Sequence, residues 1–130
     1  RFHTAVNKFI WQACLGQPIT VWRTALHQHR PYLELGDGCR AIAHIIRRDL
    51  FAGEIYNVLT LNATVHQIVE AVRSRRPDLQ VQLVDSPIMN QLSYKVGCDK
   101  FARTGFQPTG DLLLSVQEAM DLVDVSPAAS

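Results

Sequence analysis

Four short strand-forming runs interrupt this sequence, and none is long enough to build a large sheet. They are Ile19 to Trp22 (ITVW), Tyr32 to Leu35 (YLEL), Glu54 to Val58 (EIYNV) and Leu79 to Val84 (LQVQLV). β-Branched and aromatic residues favour a pleated, half-buried surface. Segments of helical spacing lie between and around these runs, and that alternation predicts an α/β or α+β domain. With so little sheet, at least one helix face is expected to find nothing in the chain to cover it.

The helical segments carry their own start and stop signals. Phe2, Val6, Phe9, Ile10, Ala13 and Cys14 recur at helical spacing, so residues 2–15 read as an amphipathic helix ended by Gly16 and Pro18. The polar stretch 23–29 reads as a loop. Asp37 is placed to cap the next helix, whose inward face would be Cys39, Ile42, Ile45 and Ile46, with His44 on an exposed flank. Thr64 and Gln67 form a capping box ahead of Val65, Ile68, Val69 and Val72, and Pro77 bounds that helix. A short helix over 99–104 closes at Gly105. A last one runs from Asp111 to Val123, with Leu112, Val116, Ala119, Met120 and Val123 inward.

A chain of 130 residues, 47% hydrophobic and 19% charged, is read as one globular domain over 1–124 with a flexible tail over 125–130. The formal charge of +1 gives no electrostatic argument for a nucleic-acid or membrane partner, and no apolar run approaches a membrane span. Cys14, Cys39 and Cys98 are odd in number, widely spaced and without a CxxC, which favours a reducing, cytoplasmic setting over a disulfide scaffold or a thiolate metal site. The chain opens on Arg1, inside a helical pattern, so an upstream part is expected.

Candidate chemistry is sparse. His27 and His29 would share a strand face, but no carboxylate lies near them, and a solvated loop explains them better than a metal site. Ser93, Tyr94 and Lys95 are adjacent. A tyrosine base activated by lysine needs the two one helical turn apart, so no catalytic residue is assigned to this trio. The basic run Arg73 to Pro77 sits at a helix C-terminus, where cations complement the helix dipole. Arg30 stands apart. It precedes a strand, where a planar guanidinium can fork onto a phosphate or carboxylate.

The order of the segments adds to this. From the N-terminus there is a helix, GQPITVW, a loop, RPYLELGD, a second helix, GEIYNV, the capped helix TVHQIVEAV, a strand, a short helix ending in glycine, and TGDLLLSVQEAM. This series resembles the C-terminal substrate-binding region of the extended short-chain dehydrogenase/reductases, the NAD-dependent nucleotide-sugar epimerases and dehydratases. The resemblance spans about residues 1–123. It implies a small α/β substrate-binding domain of short strands and about four to five helices, lacking the Rossmann dinucleotide-binding domain. The family's glycine-rich dinucleotide loop and its Tyr-xxx-Lys pair lie upstream of this region, and neither occurs here.

The resemblance implies a sugar or nucleotide-sugar substrate and a missing N-terminal Rossmann domain as partner. NAD or NADP would serve the full-length protein, with no cofactor bound by this chain. Arg30 matches the family arginine on the substrate diphosphate, Trp22 an aromatic beside the base, and Tyr32 a position near the same ligand. Thr4 and Asn7 fall near a phosphate contact on the first helix. The second phosphate arginine is replaced around 90–93 by NQLS, leaving Asn90, Gln91 and Ser93 as neutral donors. Pro31 stands where the family has aspartate after the arginine. Self-association is expected through a face built on Phe2, Phe9, Trp22 and Tyr32. The competing reading is a free-standing α/β ligand-binding or protein-interaction module.

Overall fold

The computed structural model describes residues 4–85 and 92–125. It is α/β, with five helices and four strands of four residues each. The chain forms two compact units. The first combines residues 1–28, 64–92 and 112–130, the second residues 29–63 and 93–111.

The first unit is three helices around a parallel strand pair. α1 (Ala5–Cys14), α3 (Val65–Arg75) and α5 (Leu112–Val125) pack on one another, and β1 (Ile19–Trp22) pairs in parallel with β4 (Val81–Val84). The ITVW run is therefore a strand over its whole length. The capping box at the start of α3 is present in full. Gln67 N–H donates to Thr64 Oγ1 at 3.2 Å, and Gln67 Oε1 accepts from Thr64 N–H at 2.8 Å. Phe9, Ile10, Ile19, Val21, Ile68, Val72, Val116 and Met120 are buried here. Gly16 ends α1 in the left-handed region at φ 66°, a conformation with no Cβ penalty only for glycine. The arginines of the basic run are held in ion pairs: Arg73 with Glu70, Arg75 with Asp121, and Arg76 with Asp124 at 2.9 Å.

The second unit holds β2 (His29–Tyr32), α2 (Leu35–Arg47), β3 (Leu61–Thr64, whose last residue opens the first unit) and α4 (Asp99–Ala102). β2 pairs with β3. Its core is Ala41, Phe101 and Phe106, with Ile45, Leu50, Tyr56 and Val58 packed against them. Gly105 follows α4 at φ 94°.

Four expectations change in this unit. The second strand is His29–Tyr32 rather than Tyr32 to Leu35, because Glu34 caps α2 and draws Leu35 into the helix. Glu34, not Asp37, is the N-cap: its carboxylate accepts from Gly36 N–H at 2.8 Å and Asp37 N–H at 2.9 Å. Glu54 to Val58 is not a strand; β2 pairs instead with Leu61–Thr64. The inward face of α2 is Asp37, Ala41, His44 and Ile45. Cys39, Ile42 and Ile46 are exposed. His44 is packed edge-on to Phe101 and Phe106, and its Nε2 lies 2.9 Å from Thr104 Oγ1.

Asp37 organises this unit. Its side chain is fully enclosed. Oδ2 accepts from the Thr60 hydroxyl at 2.6 Å and Gly110 N–H at 3.1 Å, while Oδ1 accepts from Thr109 N–H at 2.9 Å and from Arg40. Burial pushes the carboxyl pKa up. The Thr60, Thr109 and Gly110 hydrogen bonds and the Arg40 charge outweigh that, so the pKa falls below the ordinary aspartate value.

Candidate functional site

The candidate site residues fall in both units. Arg30 occupies the second position of β2 and is half-buried. Its Nη1 donates to the His29 carbonyl at 2.8 Å, and its guanidinium carbon lies 5.0 Å from the centroid of the Tyr94 ring. That distance is within reach of a cation–π contact. His29 is itself clamped, since its N–H donates to Ser93 Oγ at 3.0 Å and its carbonyl also accepts from Tyr94 N–H at 3.3 Å. Ser93 thus joins Arg30 in one cluster. With its oxygen engaged, the Ser93 hydroxyl proton is left to donate elsewhere.

Tyr32 belongs to the same strand. Burial raises its phenol pKa and the Arg30 charge opposes that rise. The phenol is therefore protonated at neutral pH and can both donate and accept. The segment carrying Ser93 and Tyr94 is fixed further along by amides. Asn62 Nδ2 donates to Val96 O and Asn62 Oδ1 accepts from Val96 N–H, each at 2.9 Å, imitating one rung of a sheet. Asn57 Nδ2 reaches Gly97 O at 3.4 Å, which makes Asn57 a tie between segments.

In the first unit, Thr4 precedes α1 at its N-cap without a side-chain capping bond, and both Thr4 and Asn7 are exposed. Trp22 closes β1 opposite Val84 and is 41% exposed. Arg23 beside it pairs with Asp85 at 3.3 Å. An open cleft of about 570 Å³ lies in this unit, lined among others by Cys14, Pro18, Arg76 and Leu79; none of the candidate residues among the described ones lines it. Asn90, Gln91 and Phe2 lie outside the described residues. Phe9 is buried, so the expected open aromatic face does not include it.

Tyr94 is the neighbour of Arg30 that sequence reasoning does not reveal. In the sequence it stands out only as a phenol next to Lys95, whereas in the structure its ring is a wall for Arg30. No local pattern signals this, because the contact joins segments 64 residues apart. His29 and His27 also part company. His29 begins β2, while His27 is exposed and stacks on His66 at 5.9 Å. Among the described residues, no group of three or more His, Cys, Asp or Glu side chains is placed to hold a metal, and no helix is long and apolar enough to cross a membrane.

What the Arg30 cluster can do follows from its parts. A guanidinium held on one side by a carbonyl and on one face by an aromatic ring is preorganised. An anionic group binding it would not have to freeze a free side chain. A phenol and a hydroxyl stand in the same unit as neutral donors.

Comparison with known proteins gives the fold a context. No protein-family model and no curated protein sequence matches this chain. Solved structures do. UDP-glucuronic acid 4-epimerase from Bacillus cereus, in complex with UDP-glucuronic acid and NAD, superposes with a TM-score of 0.78 at 17% identity, over 95% of this chain and 40% of that one. dTDP-glucose 4,6-dehydratase from Bacillus anthracis, in complex with NAD, gives 0.76 at 16% identity, over 96% and 40%. An L-threonine dehydrogenase from Cupriavidus necator gives 0.69 at 19% identity, over 89% and 40%. The fold of this chain is thus that of a portion of NAD-dependent sugar-nucleotide epimerases and dehydratases and of a related dehydrogenase, and it spans about two fifths of their length.

Proposed function

We propose that this chain is the substrate-binding, C-terminal portion of an NAD-dependent nucleotide-sugar epimerase or dehydratase, and that it does not transfer hydride by itself. The observation that carries the reading is Arg30. An arginine that resembles the family's phosphate-binding arginine sits on a short strand, oriented by the His29 carbonyl and the Tyr94 ring, with Tyr32 and Ser93 in its unit. A diphosphate suits such a group because its oxygens accept the paired N–H groups of a guanidinium.

Within this portion Arg30 binds the anionic group of the substrate, and Tyr32 and Ser93 supply neutral hydrogen bonds. In the first unit, taken by itself, the resemblance makes Trp22 an aromatic surface for the base and Thr4 and Asn7 polar contacts, and it assigns Asn90 and Gln91 as neutral donors that lie outside the described residues. NAD, when bound, supplies the hydride acceptor and donor. The 130 residues contain no glycine-rich loop to cradle it and no Tyr-xxx-Lys pair, so its site and the proton-transfer residues belong to sequence outside this chain. Identity below one fifth to each enzyme described leaves the sugar and the reaction subtype open to experiment.

The test is calorimetric titration of UDP-glucose and dTDP-glucose into the longer polypeptide encoded by the same reading frame. Saturable binding of at least one nucleotide sugar is expected, together with no cofactor reduction by the 130-residue chain alone. Absence of binding at millimolar ligand, or turnover by the isolated chain, overturns the reading.

A further inference from the structure

The segment that carries Ser93 and Tyr94 has no regular secondary structure, and Ser93, Tyr94 and Lys95 are exposed. Little apolar burial holds it, so hydrogen bonds set its position. At one end the His29 N–H donates to Ser93 Oγ at 3.0 Å, and the Tyr94 N–H donates to the His29 carbonyl at 3.3 Å. Further along, both backbone groups of the half-buried Val96 are met by one side chain, Asn62. A primary amide carries a donor and an acceptor side by side, as a peptide group does. Asn62 Nδ2 donates to the Val96 carbonyl and Asn62 Oδ1 accepts from the Val96 N–H, each at 2.9 Å. The neighbouring tie from Asn57 to Gly97 O is 3.4 Å long and weaker.

These contacts close a circuit. Arg30 stands in β2, β2 pairs with β3, and Asn62 is the second residue of β3. From Asn62 the circuit passes to Val96, back two residues to Tyr94, and across the Tyr94 ring to the Arg30 guanidinium at 5.0 Å. Two residues of chain span at most about 7 Å, so a shift at Val96 is felt at Tyr94. The whole circuit lies in the second unit.

We propose that Asn62 is a positioning residue for Arg30. By pairing with Val96 it holds the Tyr94 ring against the guanidinium, and so presets the cation for an anionic substrate group. The inference rests on the proposed function in taking Arg30 as the group that meets the substrate. Asn62 acts through Tyr94 and Arg30, not on the substrate. Alanine at this position leaves the Val96 N–H and carbonyl unpaired. Ionised aspartate accepts from the N–H but sets a second acceptor against the carbonyl; the protonated acid alone restores the donor.

The Arg30 Cδ–H resonances report the position of the Tyr94 ring without any ligand, and NMR of the 130-residue chain follows them. Tyr94→Leu marks the displacement that loss of the ring causes. Asn62→Ala should move the resonances in the same direction, by at least about half as much. In Asn62→Asp they should be displaced at pH 7.5 and return toward the parent position by about pH 4.5, because a hydrogen bond to the Val96 carbonyl favours the neutral acid and lifts its pKa above the ordinary value of about 3.9. A merely structural role gives no such return, and this variant decides the matter if Asn62→Ala fails to fold. Arg30 resonances unmoved in either variant would overturn the inference, as would a displacement in Asn62→Asp that ignores pH. Collapse of both variants would make Asn62 a residue of the fold and overturn it too. In the longer polypeptide, calorimetry with UDP-glucose and dTDP-glucose should show a Kd about 3- to 10-fold higher for Asn62→Ala, since the side chain must then be ordered on binding. Adding Asn62→Ala to Arg30→Ala should weaken binding no further; losses that multiply would overturn the inference. Resonances that move as expected in a protein that binds no nucleotide sugar refute the functional reading alone. Nucleotide-sugar binding with Arg30 unmoved refutes this one alone.

Discussion

Replacing Asp37 by alanine should cost more stability than any single change on the surface of this protein. The carboxylate is fully enclosed and accepts from Thr60 Oγ1, Thr109 N, Gly110 N and Arg40. Hydrogen bonds to a charged group are each worth about 1.5–3 kcal/mol, and a backbone donor left without a partner costs about 1–3 kcal/mol. These contributions are not additive. The Arg40 share is discounted because that side chain is 46% exposed to screening solvent. A net loss of about 3–5 kcal/mol follows, in line with removing one partner of a buried charged network. For a chain of this size that is a fall in Tm of about 10–20 °C. The pH dependence gives a second reading. The folded pKa of Asp37 lies below its unfolded value of about 3.9, so its contribution is complete above that pH and is lost as the pH falls through the folded pKa. The stability gap between the parent and Asp37→Asn, measured by urea denaturation, should be flat from about pH 7 to 5 and narrow below about pH 4. An Asp37→Ala protein melting within about 2 °C of the parent would refute the reasoning, as would a gap that widens in acid.

Gly110→Ala should lower stability by about 1–3 kcal/mol, because the added Cβ would stand 2.8 Å from Asp37 Oδ2 and 2.9 Å from Thr60 Cγ2; urea denaturation measures it. Thr64→Ala removes the hydroxyl of the α3 capping box and should cost about 1 kcal/mol in the same assay. The Cys14 thiol is pushed up to about 11 by burial first, and then by its hydrogen bond and proximity to Asp124, with Arg76 opposing. Its alkylation at pH 8 should therefore be far slower than that of a free cysteine, and Asp124→Asn should speed it.

The parts of the fold set by adjacent residues were legible in the sequence. Thr64 and Gln67 announce a capped helix because both partners lie within one turn. ITVW forms a strand because its alternate residues Ile19 and Val21 are buried. The errors come where distant residues decide. Asp37 looks like a cap because it is a short carboxylate ahead of a helical run, yet Thr109 and Gly110 claim it and the longer Glu34 does the capping. The inner face of α2 differs from the one the spacing predicts, because helical periodicity cannot choose between two faces of one helix. EIYNV has strand composition but, among the described residues, no backbone hydrogen bond to another segment, and composition alone does not supply one. Arg30 reads from the sequence as a cation just ahead of a strand, whereas the structure makes it the second residue of β2. Its contact with Tyr94 is not legible, because a ring that orients a guanidinium leaves no mark on spacing.

Under the proposed function, Arg30 is the main cation for the substrate's anionic group. Affinity for UDP-glucose and dTDP-glucose, measured by calorimetry on the longer polypeptide carrying Arg30→Ala or Arg30→Lys, tests this directly, with thermal melts alongside. A charge-assisted contact of about 1.5–3 kcal/mol predicts a rise in Kd of about 10- to 100-fold for Arg30→Ala. Little recovery is expected in Arg30→Lys, because an ammonium cannot make the planar fork, and Tm should change little. Unchanged affinity in both variants would contradict the account, and a collapse in Tm would make Arg30 a structural residue instead.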